Sequence, residues 1–341
     1  MMPKVTVVMP VYNGARYLAA AIQSILDQTW SDFELLIIED GSTDQSPALI
    51  ASFTDSRIRV LANGRNLGLV ASLNVGLSQA RGEYIARMDG DDVSFPHRLE
   101  KQVAYLDQHP DTGLCGTWFE RHRDGVLEWG RPATEDADIR FSLLFKTTFL
   151  HSSVMLRRSV LVQHNLVYEY EYPYAEDYAL WIRLSQYTQL ANIPEFLVAY
   201  RYHPDNCSSR NRQTQKDSAD RIVSGYLTLL DDRIDASELA LHADLTRFRT
   251  QGTMETVLKA GAWLERLAQL VEARLNQPGC KVYELMQAQW YSACGKAAWV
   301  GFAVWRYYRQ HPAGKKAAWH WYIRLGLRCG LKKAIPAASR R

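Results

Sequence analysis

Over the first 110 positions the apolar residues follow two rhythms in alternation. Residues 4–10 (KVTVVMP), 33–40 (FELLIIED), 57–63 (RIRVLAN) and 83–89 (EYIARMD) are short, mostly unbroken apolar runs, as strands covered on both faces would be. Between them, residues 15–28 (ARYLAAAIQSILDQ), 44–53, 69–80 and 96–109 carry their apolar positions three and four apart, as in Leu18, Ile22, Ile25 and Leu26, which predicts helices. Pro96 suits a first helical position. Strands alternating with helices predict an α/β fold, with a Rossmann-like, mostly parallel sheet flanked by helices. The rhythm then loosens. Short strands are expected at 113–119, 152–157 and 196–203, with one clear helix at 175–187, and from about 210 onward the pattern is helical throughout. The reading is a catalytic domain over 1–208 and a helical C-terminal region over 209–341.

Charge is distributed unevenly. The chain of 341 residues has a formal net charge of +3, but residues 281–341 hold twelve Lys/Arg and one acid, Glu284, for +11, so the rest carries −8. This basic region is rich in aromatic residues: Trp290, Trp299, Trp305, Tyr307, Tyr308, Trp319, Trp321 and Tyr322. Two readings stay open for it. Its helices pack their aromatics inward, or they lie on an anionic membrane face. The five cysteines (115, 207, 280, 294 and 329) include no CxxC pair, which points away from disulfides and zinc and toward a cytoplasmic protein. The short N-terminal run reads as a strand rather than a signal peptide, and the most apolar late stretch, 297–305, is far shorter than a membrane span.

In an open parallel sheet, ligands bind beyond the carboxyl ends of the strands. The polar residues that need explaining fall there. EYIARMDGDDV ends a buried strand on Asp89, Asp91 and Asp92, which repel one another unless a cation joins them. Carboxylate oxygens two residues apart across Gly90 suit Mg²⁺ or Mn²⁺; a solvated Asp-rich turn is the plainer alternative. Asp40 closes the second strand and is assigned to a nucleotide's base or ribose, while Ser42, Thr43 and Asp44 are assigned to capping the next helix. Tyr12, after the first strand, would stack on a base. Glu176 and Asp177 begin a helix among Tyr172, Tyr174, Tyr178 and Trp181, where a carboxylate would act as a base or simply suit the helix dipole. His203 ends a strand and suits a metal or a diphosphate oxygen. His151 and the pair Arg157–Arg158 are placed in the core, on the surface or in an acceptor cleft without a choice between them.

Taken in order, VTVVMPVYNGARYLAAAIQSILDQTWSDFELLIIEDGSTD, NLGLVASLNVGLSQARGEYIARMDGDDVSFPHRLEKQV, FLHSSVMLRRS and YAEDYALWIRLS resemble the family 2 inverting glycosyltransferases of GT-A fold, in particular bacterial enzymes that build surface polysaccharides. The resemblance covers roughly residues 4–205. It implies a nucleotide-diphosphate-sugar donor, a UDP-sugar first among them, a glycan or lipid-linked acceptor, no nucleic acid, and Mn²⁺ or Mg²⁺. By matching position, Pro10, Tyr12 and Asp40 would cradle the base, with Asn66 near it. Asp89 would approach the ribose, with Asp92 also among the donor contacts, Asp91 would bind the metal with His203, and Asp177 would be the base with Glu176 beside it. Members often carry an Arg where this chain has Leu73, just before Asn74, so a donor contact is missing or supplied elsewhere. Lower-ranked alternatives are a sugar-nucleotidyltransferase, which would normally carry a Gly-rich basic loop that PVYNGARY lacks, and a non-catalytic nucleotide-sugar binding protein. Such an enzyme would be cytoplasmic, with peripheral contact between residues 281–341 and the inner membrane face.

Overall fold

A computed structural model describes residues 2–203, 206, 210–247, 252–275 and 282–331. Among these, nine strands form one sheet in the order β3-β2-β1-β4-β8-β6-β9-β5, with β7 paired to β6. The strands β1 (Val5–Val11), β2 (Phe33–Glu39), β3 (Ile58–Ala62) and β4 (Tyr84–Arg87) are mutually parallel. They are linked by α1 (Ala15–Leu26), α2 (Ser46–Ala51) and α3 (Leu69–Gln79). This is the half where sheet and helix alternate in the sequence, and the predicted elements are in place within a residue or two, the usual uncertainty of helix and strand ends.

Beyond β4 the sheet is mixed. The two-residue β5 (Val93–Ser94) runs antiparallel to β9 (Gln189–Tyr202), which is parallel to β6 (Thr112–Arg123). The three-residue β8 (Met155–Arg157) is antiparallel to both β4 and β6, and β7 (Val126–Gly130) forms a hairpin with β6. The expected strands at 113–119 and 196–203 are thus the first part of one longer strand and the end of another. Pro96 does not open its helix: α4 runs Arg98–Gln108, and the Pro96 carbonyl instead accepts a hydrogen bond from Thr29 N at 2.9 Å.

The core explains the layers. Val5, Val7, Met9 and Val11 project from one face of β1 against Leu18, Ile22 and Ile25 of α1 and Leu99, Val103 and Leu106 of α4, all buried. On the opposite face α3 lies so close that a Cβ on Gly76 would come within 2.3 Å of Val8 Cγ1, so glycine is required there.

The chain forms two compact units. The first comprises residues 1–140 and 147–222, the second 141–146 and 223–341. The boundary expected at 208/209 falls among residues outside the described set, as do Cys207, Cys280, Lys281 and residues 332–341 of the basic region. The first unit also contains α5 (Asp136–Ser142) up to Arg140, α6 (Arg158–Gln163), α7 (Glu176–Leu184) and the start of α8 (Arg212–Leu230). The second unit is helical among its described residues.

Candidate active site

Parallel strands β1, β2 and β4 release their chains at one edge of the sheet, and every site residue expected from the sequence lies in the first unit. After β1, Asn13 takes a left-handed conformation (φ 51°), which its short polar side chain tolerates. Its Oδ1 accepts from Thr43 N at 2.8 Å, and its own N–H donates to Ser42 Oγ at 3.1 Å. Gly14 N and Ala15 N, at the start of α1, donate to Ser46 Oγ and Asp44 Oδ2. The assignment of Ser42, Thr43 and Asp44 as caps of α2 is therefore corrected. Asp44 does accept from Ser46 N at 2.8 Å, but the loop chiefly satisfies the open amides of α1 across the gap, because α2 begins only at Ser46.

Asp40 lies behind this clasp and is 2% exposed. Its carboxylate accepts from Asn63 Nδ2, Leu67 N and Gly68 N at 2.8, 2.9 and 2.9 Å, which draws the 63–68 loop over the β2 end. Gly41 makes this closeness possible: its φ is +71°, and a Cβ there would stand 2.5 Å from the Arg65 carbonyl carbon. Three of the roughly four lone-pair sites of the Asp40 carboxylate are thus spent on the chain itself. Around it Pro10 is partly buried, Asn66 is exposed, and Tyr12 is half exposed with its ring available. Asn74 is tied to the backbone of a distant loop. It bonds both backbone groups of Tyr168 at 2.9 Å, next to the buried Leu73.

Carboxylate oxygens of Asp89, Asp91 and Asp92 lie within 4.8 Å of one another. The chain tolerates them partly through Arg87, the last residue of β4, which is buried and forms an ion pair with Asp89. Burial works against the Arg87 charge, but Asp89 outweighs it and raises the guanidinium pKa. Arg87 Nη1 also donates to Ser152 Oγ at 3.0 Å, and Ser152 Oγ lies in hydrogen-bond contact with both Asp89 and Asp92. Asp92 is fully enclosed, with Oδ2 facing Ser152 and Oδ1 accepting from Arg201 N at 2.9 Å. Asp92 is therefore the most enclosed of the three acids, and the donor contact expected of it stays an expectation. Burial, then the charges of Asp89 and Asp91, push its pKa well up. Asp91 is raised by burial and then by Asp89, and its Oδ2 sits 3.0 Å from His203 Nε2. The structure thus brings Asp91 and His203 together from 112 residues apart.

The base candidates open α7. Glu176 is 5% exposed, and burial followed by the Asp177 charge pushes its pKa up. Burial pushes Asp177 up to about 6, with Arg87 pulling down and Asp89 up, so this carboxyl senses the acid cluster. The preceding loop is held firmly. Tyr174 is left-handed (φ 63°), and Gln215 Nε2 donates to its carbonyl at 2.8 Å. Ser218 Oγ donates to Pro173 O at 3.0 Å, and Arg221 donates to Glu171 O. His151, in the 3₁₀ turn His151–Ser153, has Nε2 2.9 Å from Tyr168 Oη. Burial and then Arg87 hold its pKa well down, so it is a neutral imidazole. Arg157 bonds the carbonyls of Thr112, Leu106 and His109 and is structural. Three buried nitrogens among these site residues lack a hydrogen-bond partner: Arg87 Nε, His203 Nδ1 and Trp181 Nε1.

Sequence reasoning missed Arg87, Ser152, Arg201 and Tyr168. Arg87 left a signal, a lone cation in an apolar strand two residues before the first acid. Nothing in FLHSSV singles out Ser152.

The family model for glycosyl transferase family 2 matches residues 6–165. An uncharacterized glycosyltransferase of Haemophilus influenzae is 34% identical over 66% of this chain and 74% of its own length. The O-antigen biosynthesis glycosyltransferase WbnJ of Escherichia coli is 33% identical over 62% of this chain and 82% of its own. The S. aureus protein TarS (residues 1–349), solved with UDP-GlcNAc, matches at TM-score 0.58 and 15% identity, covering 86% of this chain and 90% of that one. The mannosyltransferase PcManGT of Pyrobaculum calidifontis, solved with GDP-Man and Mn²⁺, matches at TM-score 0.54 and 16% identity over 96% and 87%. At these identities the structural likeness establishes the fold, GT-A.

Proposed function

The chain belongs to glycosyl transferase family 2, and from that premise we propose that it transfers a sugar, with inversion, from a nucleotide-diphosphate sugar to a hydroxyl of a cell-surface glycan or lipid-linked oligosaccharide. A UDP-sugar is the first donor to try. The observation that carries this reading is the convergence of Asp89, Asp91 and Asp92 beyond the end of β4. Oxygen donors of this kind fit a hard divalent cation. Asp91 and Asp89 would hold Mn²⁺ or Mg²⁺, since Asp92 is turned inward, and His203 Nε2 stands beside Asp91. Such an ion supplies charge neutralisation to a departing diphosphate. A neighbour of the same fold solved with GDP-Man and Mn²⁺ supports that chemistry, and a relative named for O-antigen biosynthesis supports the acceptor class.

The chain's own residues would do the rest. Tyr12 would stack on the base, with Pro10 and Asn66 beside it. Asp40 would act by holding the 63–68 loop in place, with its remaining lone pair toward the nucleotide. Asp177 would take the proton from the acceptor hydroxyl. A carboxyl poised near 6 is a stronger base than an ordinary aspartate and still ionised at neutral pH. Glu176, pushed up to about 7 by burial and then by the Asp177 charge, carries its own negative charge only in part at neutral pH. No helix among the described residues is long and apolar enough to cross a membrane.

The test is transfer from a panel of labelled UDP- and GDP-sugars, with the product anomer read by NMR. We expect loss of activity in EDTA, recovery with Mn²⁺ or Mg²⁺, an inverted product, and a folded but inactive Asp91→Asn. Full turnover in chelator would remove the metal assignment, and a retained anomer would remove the direct-displacement mechanism.

A further inference from the structure

Not all of the aromatics in the C-terminal region do the same work. Trp290 and Tyr308 are wholly buried among the helices of the second unit. The helix Trp319–Gly330 is two-faced. Leu325 and Cys329 point inward at 0% and 1% exposure, and the Tyr322 carbonyl accepts from Trp305 Nε1 at 3.0 Å. Outward, Trp319, Ile323 and Leu327 are 71%, 52% and 61% exposed, and Leu331, just past the helix end, is 65% exposed. Residues four apart advance only about 40° around a helix, so these side chains make one stripe. Phe302, 54% exposed, extends it, since a Cβ on Gly330 would stand 3.3 Å from Phe302 Cζ. Arg324 and Arg328 lie between the stripe and the buried face, and no Asp or Glu occurs anywhere after Glu284.

We propose that this face of the helix docks on a lipid leaflet rich in anionic headgroups. Scattered exposed apolar residues are ordinary, but a contiguous stripe edged with cations is not. An apolar face with Trp at one end and Arg along its flank is the pattern of a helix lying in the membrane interface. The indole suits the headgroup level, and the guanidinium groups suit anionic lipid. Twelve residues reach only about 18 Å, too short to span a bilayer, so the helix lies on it. A second copy of the chain is the poorer occupant. Two-fold pairing through the stripe would bring Arg324 and Arg328 of each copy together, and like charges oppose that. The use of such docking, bringing the enzyme to its acceptor, rests on the membrane-held acceptor proposed above; the binding itself does not.

The experiment is co-sedimentation of the full chain with phosphatidylcholine vesicles, with and without phosphatidylglycerol. It compares the natural chain with Ile323→Ser/Leu327→Ser and Arg324→Glu/Arg328→Glu. All four positions lie on the outer side of the helix, so unchanged circular dichroism and Tm should certify the fold of both variants. Each Lys or Arg near an anionic surface is worth on the order of fivefold in binding. We expect binding to anionic vesicles only, weakening as salt rises, and at least tenfold weaker partitioning for either double variant. Donor hydrolysis, measured in parallel, should be unchanged in both. Equal sedimentation of all three proteins, or a natural chain that stays in the supernatant, would overturn the proposal. So would a solution dimer that the variants dissolve while vesicles fail to bind. If no donor is hydrolysed but the vesicle pattern holds, it is the transferase reading that falls and the docking stands.

Discussion

Arg87 is where the acid cluster is made affordable. A buried guanidinium paired with Asp89 and bonded to Ser152 stands in for part of the positive charge that three converging carboxylates require. Removing one member of a buried pair leaves an uncompensated charge and costs about 3–5 kcal/mol. Arg87→Met should therefore lower stability by roughly that amount in denaturant titration. A variant as stable as the natural chain would show that the pair contributes nothing. Asp177 gives a second, kinetic prediction. Its pKa stands above the ordinary carboxylate value, so the base form is lost as pH falls through about 6, and kcat/KM should decline below that point with unit slope. Asp177→Asn should bind donor normally by calorimetry, lose about 10²–10⁴ in kcat, and show no such limb in its residual rate. A surviving limb would assign the titration to another group. Among residues, the acids were legible because carboxylates ending an apolar strand are costly without a reason. Their partners were not, because Ser152 and Arg201 reach the cluster only through pairings across more than fifty residues.

At the scale of elements, α7 does not aim its carboxylates alone. Tyr174 holds a left-handed conformation that costs about 1–2 kcal/mol in a residue with a Cβ. Gln215, Ser218 and Arg221, three residues apart on α8, donate to three carbonyls of the 171–174 loop, at about 0.5–1.5 kcal/mol each. The helix thus offsets the strain and fixes where α7 begins. Gln215→Ala/Ser218→Ala should cut kcat about tenfold, the scale of small misplacements in a catalytic geometry, while leaving the donor Kd within twofold. A matching loss in donor affinity would mean that the loop serves the nucleotide instead. None of this could be read from the sequence, where 210–230 is simply an amphipathic helix. The alternating half was readable because each β–α pair buries its own apolar positions locally. The mixed half was less so: β5 and β8 have two and three residues, too few for any periodicity, and exist only because β9 and β4 supply their partners.

For the whole molecule, the division of the chain differs from the division of the pattern. The sequence changes character near 208, which suggests that a shortened chain would keep the catalytic fold. Residues 141–146, in the middle of the first unit's sequence, belong to the second unit. There Leu143 and Leu144 are fully buried, the Leu144 carbonyl lies 2.7 Å from His242 Nε2, and the Phe145 ring stacks on His242 at 4.8 Å. Burial pushes His242 down to about 4, so it is neutral at pH 7 and Nε2–H can donate to that carbonyl. Trp263 Nε1 donates to its Nδ1 at 3.1 Å, which fixes that tautomer. A chain ending at 222 loses these partners, and each leucine newly exposed forfeits about 1.5–3 kcal/mol. That truncation should therefore elute as aggregate, or unfold at a Tm well below that of the full chain, even though every proposed site residue is still present. Replacing Phe141, Leu143, Leu144 and Phe145 by Ser in the truncated form should restore a monomeric elution, because nothing apolar is then left uncovered on that segment. A truncated chain that is monomeric and as stable as the full one without this change would mean that residues 141–146 draw no support from the rest of the second unit.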